Sequence, residues 1–207
     1  LEIITPSLIG GAETQFAAIV SGLRALGREV TVFCPAGRPL VHYLERKGIS
    51  PLTWRTWGKV DPLTLVRFVR LIESRQIDVV HTHLSTASII GSLAARWARR
   101  PCVATVHGLG TAHWYRGADK IIAVSEAVKD HLVAQSLPAR KVQVIYNGIS
   151  LEEYVPIPVQ AAKRACGFDP RLIRVGIFGR LAPEKGQDIA LRALPRILQQ
   201  RPEAILM

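Results

Sequence analysis

Short apolar runs alternate along the chain with longer stretches in which apolar residues recur every three or four positions. The short runs are rich in β-branched residues and several are apolar almost throughout, which is typical of strands buried on both faces of a parallel sheet. They predict strands at 2–6, 29–34, 51–54, 78–83, 102–106, 120–125, 142–145 and 172–178. The longer stretches predict helices at 13–26, 39–47, 62–75, 86–99, 126–136, 158–166 and 187–200.

The repetition of strand, helix and strand predicts an α/β protein with a Rossmann-like, doubly wound parallel sheet. Prolines concentrate around 156–170, which indicates a linker between a first domain at 1–155 and a second block at 171–207. That block holds one strand, one helix and the start of another strand. Because so small a parallel sheet does not stand alone, we expect the sequence to be truncated within a domain.

Composition narrows the class of protein. The 207 residues are 48% hydrophobic, which excludes intrinsic disorder, and no apolar run approaches the roughly 18 residues of a membrane span. No signal peptide is expected. The three cysteines are far apart and form no CxxC pair, which favours a reducing cytoplasm. The net charge of +11 indicates a polyanionic partner, which could be nucleic acid, an anionic membrane or a phosphorylated ligand.

A pair of glycines, Gly10 and Gly11, joins the first predicted strand to the first helix, ahead of Glu13. Paired glycines let a ligand approach the backbone, and the helix N-terminus offers free N–H groups. The motif is neither GxGxxG nor a P-loop, which disfavours an ordinary dinucleotide site or an NTPase. A tight turn that requires glycine explains the motif equally well.

Three histidines lie at the carboxyl ends of predicted strands, where open α/β sheets bind ligands. His81 and His83 alternate onto one face of their strand, and His107 follows the next strand. The first two could form a metal pair, contact a substrate or simply close the strand, and no third ligand lies at a telling spacing. His107 is a candidate for contact with the reacting group.

Three further motifs have a structural and a functional interpretation. Ser125 is a good helix N-cap, and Asn147-Gly148 suits a tight turn with positive φ. Arg180 and Lys185 bracket a helix start at the end of a buried strand. Two cations beside a helix N-terminus favour a diphosphate clamp, with a solvated charge pair as the alternative.

The segment 54–75 combines tryptophans with a helix that is apolar on one side and basic on the other. Trp54 and Trp57 precede the helix, and Arg67, Arg70 and Arg75 supply the charge. The segment could lie on an anionic membrane, or it could pack on a core with a solvated basic face. No basic stripe is interleaved with aromatic residues, so nucleic acid is not the expected partner.

Taken in order, the motifs resemble those of retaining family-4 glycosyltransferases across essentially the whole chain. They are GGAE at 10–13, the strand into His81, TVHG at 105–108, VSE at 124–126, NGI at 147–149 and GRLxxxKG at 179–186. The resemblance implies a GT-B architecture, in which two Rossmann-like domains face each other across a cleft. The N-terminal domain would hold the acceptor and the C-terminal domain the nucleotide-sugar donor.

The resemblance also implies roles for residues. Arg180 and Lys185 would neutralise the donor diphosphate without a metal or other cofactor, Gly10 and Gly11 would approach the donor phosphates, and His107 would be the catalytic residue near the donor sugar. The acceptor-side candidates are Glu13, His81, His83, Ser125 and Asn147.

The implied reaction transfers a sugar from a nucleotide-diphosphate sugar to a lipid-linked or oligosaccharide acceptor with retention, in envelope polysaccharide or lipopolysaccharide synthesis. We expect a cytoplasmic protein with a peripheral contact on the inner face of the membrane. The alternatives are a non-catalytic basic membrane-binding module and another GT-B enzyme, such as a sugar-nucleotide epimerase.

The sequence departs from the family in two places. It stops at Met207, ahead of the family's glutamate motif for the donor, so we expect the chain to be inactive alone. The span 107–119 is shorter than is usual in the family, which indicates either a deleted helix or missing residues.

Overall fold

A computed structural model describes residues 1–6, 9–59, 61–149, 151 and 155–207. Six parallel strands form the main sheet, in the order β2-β1-β3-β4-β5-β6. The strands are β1 (Glu2–Ile4), β2 (Val32–Phe33), β3 (Val80–His83), β4 (Cys102–Val106), β5 (Lys120–Ala123) and β6 (Val142–Val144). The predicted Rossmann-like α/β fold is confirmed.

In the described part of the chain, five helices accompany this sheet: α1 (Gly11–Ala25), α2 (Pro39–Arg46), α3 (Pro62–Ser74), α4 (Ser85–Trp97) and α5 (Glu126–Ala134). Short 3₁₀ turns occur at Ala112–Tyr115 and Ala139–Lys141. The span 107–119, which the sequence marks as short, therefore holds a single 3₁₀ turn, with Ala112 and Tyr115 buried in the core. No helix within the described residues is long and apolar enough to cross a membrane.

The order of the strands creates a switch point between β1 and β3. The chain leaves β1 toward β2 on one side and returns to β3 on the other, and each successive strand is then added beyond β3. In open parallel sheets, the crevice outside the carboxyl ends of the strands at such a point is where ligands bind. The loops that follow β1 and β3 therefore have the most favourable position for a site.

Alternation along the strands separates two buried clusters on opposite faces of the sheet. Ile4 packs with Phe16 and Val20 of α1 and with Leu40 and Leu44 of α2. The other cluster joins Ile3 to apolar residues of α3, α4 and α5. On that side Gly91 of α4 lies so close to β3 that a Cβ at this position would come within 2.5 Å of the Thr82 methyl group.

Residues 51–54, predicted as a strand, form only a single parallel bridge, between Leu52 and Phe33. Leu52 donates to the Val32 carbonyl at 2.7 Å and accepts from the Cys34 N–H at 3.2 Å. One further hydrogen bond runs from the Ala36 N–H to the Trp54 carbonyl at 3.0 Å, but residues 51–54 form no second bridge, so the prediction of a full strand is wrong. The predicted strand at 29–34 is likewise reduced to Val32–Phe33.

Trp54 lies in an aromatic cluster of the core instead of on the surface. Its ring centroid is 4.1 Å from that of Phe33 and 5.2 Å from that of Phe68, and its Nε1 donates to Thr64 Oγ1 at 3.1 Å. Trp57, in contrast, is 73% exposed. Of the two tryptophans that the membrane alternative would use, Trp54 is therefore part of the core and Trp57 is exposed.

The chain divides into two compact units, Leu1–Gly148 and Ile149–Met207. The second unit contains α6 (Val159–Ala165), a parallel pair of strands, β7 (Ile173–Val175) and β8 (Ala204–Leu206), and α7 (Gln187–Gln200). The sequence pattern predicts this boundary at 155, seven residues later. The assignment of acceptor-side and donor-side domains remains a prediction.

Candidate active site

The glycine loop leads directly into α1, whose first residue is Gly11. Gly10 is the N-cap residue, and its N–H donates to Glu13 Oε2 at 2.9 Å. Glu13 is only 7% exposed. The structure therefore gives Glu13, predicted as an acceptor-side residue, the role of capping the helix, because its carboxylate satisfies one of the free N–H groups of the first turn.

The fold itself does not require glycine at Gly11. Its φ is not in the left-handed region, and no described heavy atom lies within 4 Å of the position that a Cβ would occupy. At Gly10, a Cβ would meet only Glu13 Oε2, at 3.4 Å. Open space above a helix N-terminus at the switch point is what a ligand that approaches the backbone needs.

Glu2 joins the two histidines of β3, a contact that sequence reasoning missed. The strand register places Glu2 opposite His81. Glu2 Oε1 lies 3.0 Å from His81 Nδ1, and Glu2 Oε2 lies 3.0 Å from His83 Nε2. Glu2 is only 4% exposed. A lone carboxylate inside an otherwise apolar strand was the available signal, since a buried charge is costly unless it is paired.

The hydrogen bonds continue from both histidines. His81 Nε2 lies 2.8 Å from Thr105 Oγ1 of β4. His83 Nδ1 lies 3.0 Å from Nε2 of His107, and the two rings stack with centroids 5.3 Å apart. His107 Nδ1 is buried and has no hydrogen-bond partner among the described residues. The structure thus connects Thr105, His81, Glu2, His83 and His107 in one chain of polar contacts.

Burial and pairing set the protonation of this cluster. Two hydrogen bonds from the histidines outweigh desolvation and hold the pKa of Glu2 at about 2, below its ordinary 4.5. Desolvation lowers the pKa of His83 to about 4. Desolvation, helped by the neighbouring histidines, lowers that of His107 to about 3. At neutral pH, Glu2 is therefore ionised and both of these histidines are neutral.

The predicted placement of His81 and His83 on one face is confirmed, since their ring centroids are 4.2 Å apart. His83 is fully buried, with both ring nitrogens engaged in hydrogen bonds, and its assignment as an acceptor-side residue stays a prediction. Glu2, His81 and His83 bring their ligand atoms within 4.8 Å of one another, so together they could hold a metal ion. Each carboxylate oxygen nevertheless stands at hydrogen-bond distance from one ring nitrogen.

Ser125 and Asn147 were the remaining acceptor-side candidates. Ser125 Oγ accepts from the Val128 N–H at 3.2 Å, which makes it the N-cap of α5. Asn147 is exposed just after β6. Neither Asn147 nor Gly148 has a positive φ, so the expected turn conformation is wrong.

Arg180 and Lys185 belong to the second unit and are both exposed. Gln187 Nε2 donates to the Arg180 carbonyl at 2.8 Å, which ties the loop to the start of α7. A Cβ on Gly179 would lie 3.6 Å from the stem of Lys185. Gly186 precedes the helix with φ +68°, a conformation that favours glycine. The structure thus places Lys185 just before a 14-residue helix and ties the backbone of Arg180 to the first residue of that helix.

A cavity of about 190 Å³ opens beside the loop that follows β2. It is lined by Pro35, Ala36, Gly37, Arg38, Arg55, Thr56 and Trp57. Two arginines in the lining of one cavity suit an anionic group such as a phosphate. Sequence reasoning missed this cavity, because it brings together residues from two separate loops.

The fold defines the class of protein. The chain superimposes on HepE from Anabaena in complex with UDP with a TM-score of 0.82, at 25% identity, over 99% of this chain and 59% of that one. It also superimposes on MurG from Acinetobacter baumannii at a TM-score of 0.63 and 16% identity, over 100% of this chain and 60% of that one. This is the fold of GT-B glycosyltransferases.

The family follows from the sequence comparison. The model of Glycosyltransferase Family 4 matches residues 9–153, and the chain belongs to that family. It is 30% identical to a D-inositol 3-phosphate glycosyltransferase of Kribbella flavida, over 94% of this chain and 54% of the relative. It is 26% identical to the UDP-Gal:alpha-D-GlcNAc-diphosphoundecaprenol alpha-1,3-galactosyltransferase of Escherichia coli, over 87% of this chain and 56% of the relative. The chain thus spans about half the length of these relatives.

Proposed function

We propose that this chain carries the acceptor side and the diphosphate clamp of a retaining glycosyltransferase. The observation that carries the proposal is the open space above Gly11 at the switch point of a family-4 sheet. Sugar transfer passes through an oxocarbenium-like state while charge grows on the leaving diphosphate. Fixed cations and helix N-termini stabilise that charge, so Arg180 and Lys185 would serve without a metal.

The donor in this proposal is a UDP-sugar. HepE from Anabaena is described in complexes with UDP and with UDP-glucose, and the name of the E. coli relative specifies UDP-Gal. These precedents make UDP-glucose and UDP-galactose the first donors to test.

The acceptor in this proposal carries phosphate. The names of both relatives specify a phosphorylated acceptor, one inositol 3-phosphate and the other a sugar on diphosphoundecaprenol. The cavity beside Arg38 and Arg55 lies in the unit proposed to bind the acceptor and suits such a group. A lipid diphosphate acceptor would place the reaction in envelope polysaccharide or lipopolysaccharide synthesis.

The test is a transfer assay with the protein encoded by the complete reading frame. A panel of UDP-sugars is combined with phosphorylated acceptors and their dephosphorylated counterparts. We expect release of UDP together with a new glycosidic bond whose anomeric configuration matches that of the donor. A product that is an epimer of the donor, or no turnover across the panel, would contradict the proposal.

The Gly11→Ala variant tests whether the glycine at this position is required for ligand binding or for stability. Because a Cβ meets no described atom there, the free energy of unfolding should stay the same or rise by up to about 1 kcal/mol. The methyl group would occupy the path of the ligand, so kcat/KM should fall at least about tenfold, which corresponds to about 1.4 kcal/mol. Urea unfolding and transfer assays measure the two effects.

Gly22→Ala is the matched control for Gly11→Ala. Gly22 lies in the same helix, is exposed and also has open space around the position of a Cβ. This variant should keep the activity of the wild type. Equal activity in both variants would remove the support that Gly11 gives to the proposed function.

The proposal also includes a peripheral contact with an anionic membrane. On α3, Leu63 and Val66 are 58% and 40% exposed and stand beside Arg67 and Arg70. Trp57 is exposed just before this helix. Exposed apolar side chains beside arginines suit the boundary between lipid headgroups and acyl chains.

Co-sedimentation with vesicles tests this contact. We expect binding to vesicles that contain anionic lipid and not to neutral ones, and Arg67→Glu/Arg70→Glu should abolish it. Arg28→Glu/Arg46→Glu makes the same change of charge elsewhere on the first unit and should retain most of the binding. Equal loss in both double variants would show that net charge, and not α3, governs the interaction.

A further inference from the structure

The hydrogen bonds around Glu2 determine where each proton lies. An ionised carboxylate only accepts hydrogen bonds, so the histidine nitrogens that face it, His81 Nδ1 and His83 Nε2, must both carry hydrogen. A neutral imidazole has one N–H, which leaves His83 Nδ1 as an acceptor. The contact of 3.0 Å between His83 Nδ1 and His107 Nε2 is then a hydrogen bond donated by His107.

We propose that Glu2 is a positioning residue which, through His83, fixes the proton of His107 on Nε2 and leaves His107 Nδ1 as a bare acceptor for a sugar hydroxyl. The proposal rests on the proposed function, since it assigns the chemical class of the group that His107 meets. A bare nitrogen attracts an O–H donor and repels a phosphate oxygen. His107 would therefore contact a sugar, and the diphosphate would be bound elsewhere.

The surroundings of His107 agree with this assignment. Its Nδ1 is buried and has no partner within the described part of the chain. Such an atom loses its hydrogen bond to water without a replacement, which is costly unless a ligand supplies one. The low pKa of His83, caused mainly by desolvation, keeps this ring neutral at physiological pH and so keeps its Nδ1 an acceptor.

The buried position of Glu2 also agrees with a role in orientation. The carboxylate is sequestered at the sheet's switch point, and both of its oxygens bond to histidines. Packing alone would be served as well by an apolar residue, since a buried ionic group is weak evidence for stability. A carboxylate that fixes the tautomer of a histidine is the same device that orients the histidine of a Ser-His-Asp triad.

Long-range ¹H–¹⁵N NMR of histidine-labelled protein at pH 7 tests the assignment directly. We expect His81 to carry hydrogen on Nδ1, and His83 and His107 to be the Nε2–H forms. An Nδ1–H form, a fast mixture of tautomers or a doubly protonated ring at His107 would overturn the proposal. EDTA should leave the spectrum unchanged, and a change would show that a metal ion, not protons, joins the cluster.

Glu2→Gln provides the second arm. Its carboxamide has one acceptor and one donor group in place of two acceptors, so either His81 or His83 must reverse its tautomer. Reversal at His83 also moves the proton of His107 to Nδ1. We expect kcat to fall at least about tenfold when His107 reverses and to stay near wild type when only His81 reverses.

Three results of this arm would contradict the proposal. The first is wild-type tautomers in all three rings, the second is loss of activity while His107 remains Nε2–H, and the third is full activity with His107 reversed. Asp61→Asn removes another buried carboxylate, at the N-cap of α3, and should change neither readout.

The NMR experiment and the activity measurement can contradict the proposal independently of each other. The NMR result does not depend on turnover, so it stands even if the proposed transfer reaction is wrong. The wild-type spectrum also stands as a test if Glu2→Gln does not fold.

Discussion

Replacing Lys185 with alanine is expected to lower kcat for sugar transfer by a factor of about 10²–10³, the usual effect of removing one donor from a preorganised anion site. Lys185 stands at the start of α7, where its charge adds to the partial positive charge of the helix N-terminus. Arg180→Ala should have an effect of similar size. Because the two cations would act on the same leaving group, the double variant should lose less than the product of the single losses.

The local fold brings the backbone of Arg180 to the start of α7, where Lys185 also lies. The bond from Gln187 to the Arg180 carbonyl and the left-handed Gly186 hold the loop against the helix. Asp188, the acidic residue of the first turn, lies 3.6 Å from Arg192, so that its charge is partly balanced. The N-terminus of α7 is thereby suited to an anion.

Arg196→Ala is the matched control for the clamp. Arg196 is an exposed cation on the same helix but lies more than two turns from its start. Its removal should change kcat less than about twofold, since helix-dipole effects fade within the first turn. Steady-state kinetics with a saturating UDP-sugar measure all four variants. Equal losses for Lys185→Ala and Arg196→Ala would point to overall charge instead of a clamp.

Much of the fold was predictable because it depends on local patterns. Alternation placed His81 and His83 on one face, and the apolar runs identified β4 and β5. The carboxyl ends of parallel strands share one edge, so His107 could be placed at the edge that binds ligands from sequence alone. These inferences need only the period of a strand and the direction of the chain.

The contacts of Glu2 could not be predicted in the same way. Glu2 meets His81 because β1 and β3 are neighbours, although 79 positions separate the two residues. The sequence predicts strands but not their order in the sheet. The partial pairing of 51–54 likewise depends on a distant segment, because its single bridge is to Phe33 and its last hydrogen bond comes from Ala36.

The second prediction with a large effect is that the protein begins to lose stability in mild acid, below about pH 6.5. The folded protein keeps His83 and His107 neutral because their pKa values lie near 4 and 3, below the ordinary 6.5. The unfolded chain takes up these protons as the pH falls below 6.5, so protonation favours unfolding. Each excluded proton costs about 1.4 kcal/mol per pH unit. Stability should therefore be full above pH 6.5 and fall steadily toward pH 4.

Glu2 adds to this loss at lower pH. Its folded pKa of about 2 lies below the ordinary 4.5, so its contribution is present above pH 4.5 and is lost as the pH falls toward 2. Typical domains have only 5–15 kcal/mol of stability, roughly, and the histidines alone remove several. We therefore expect acid unfolding to begin above the range in which carboxylates titrate.

Urea unfolding at a series of pH values from 8 to 5 measures the effect. Near pH 5 the slope of the unfolding free energy should approach about 2.7 kcal/mol per pH unit, the value for two excluded protons. His107→Gln keeps an N–H donor for His83 and removes one of the two protons, so its slope should be about half as steep. His42→Gln removes an exposed histidine of α2 and should keep the slope of the wild type. Two results would contradict this prediction: an unfolding free energy that does not change between pH 7 and 5, or equal slopes in all three proteins. Either result would mean that water reaches the rings of His83 and His107 in solution.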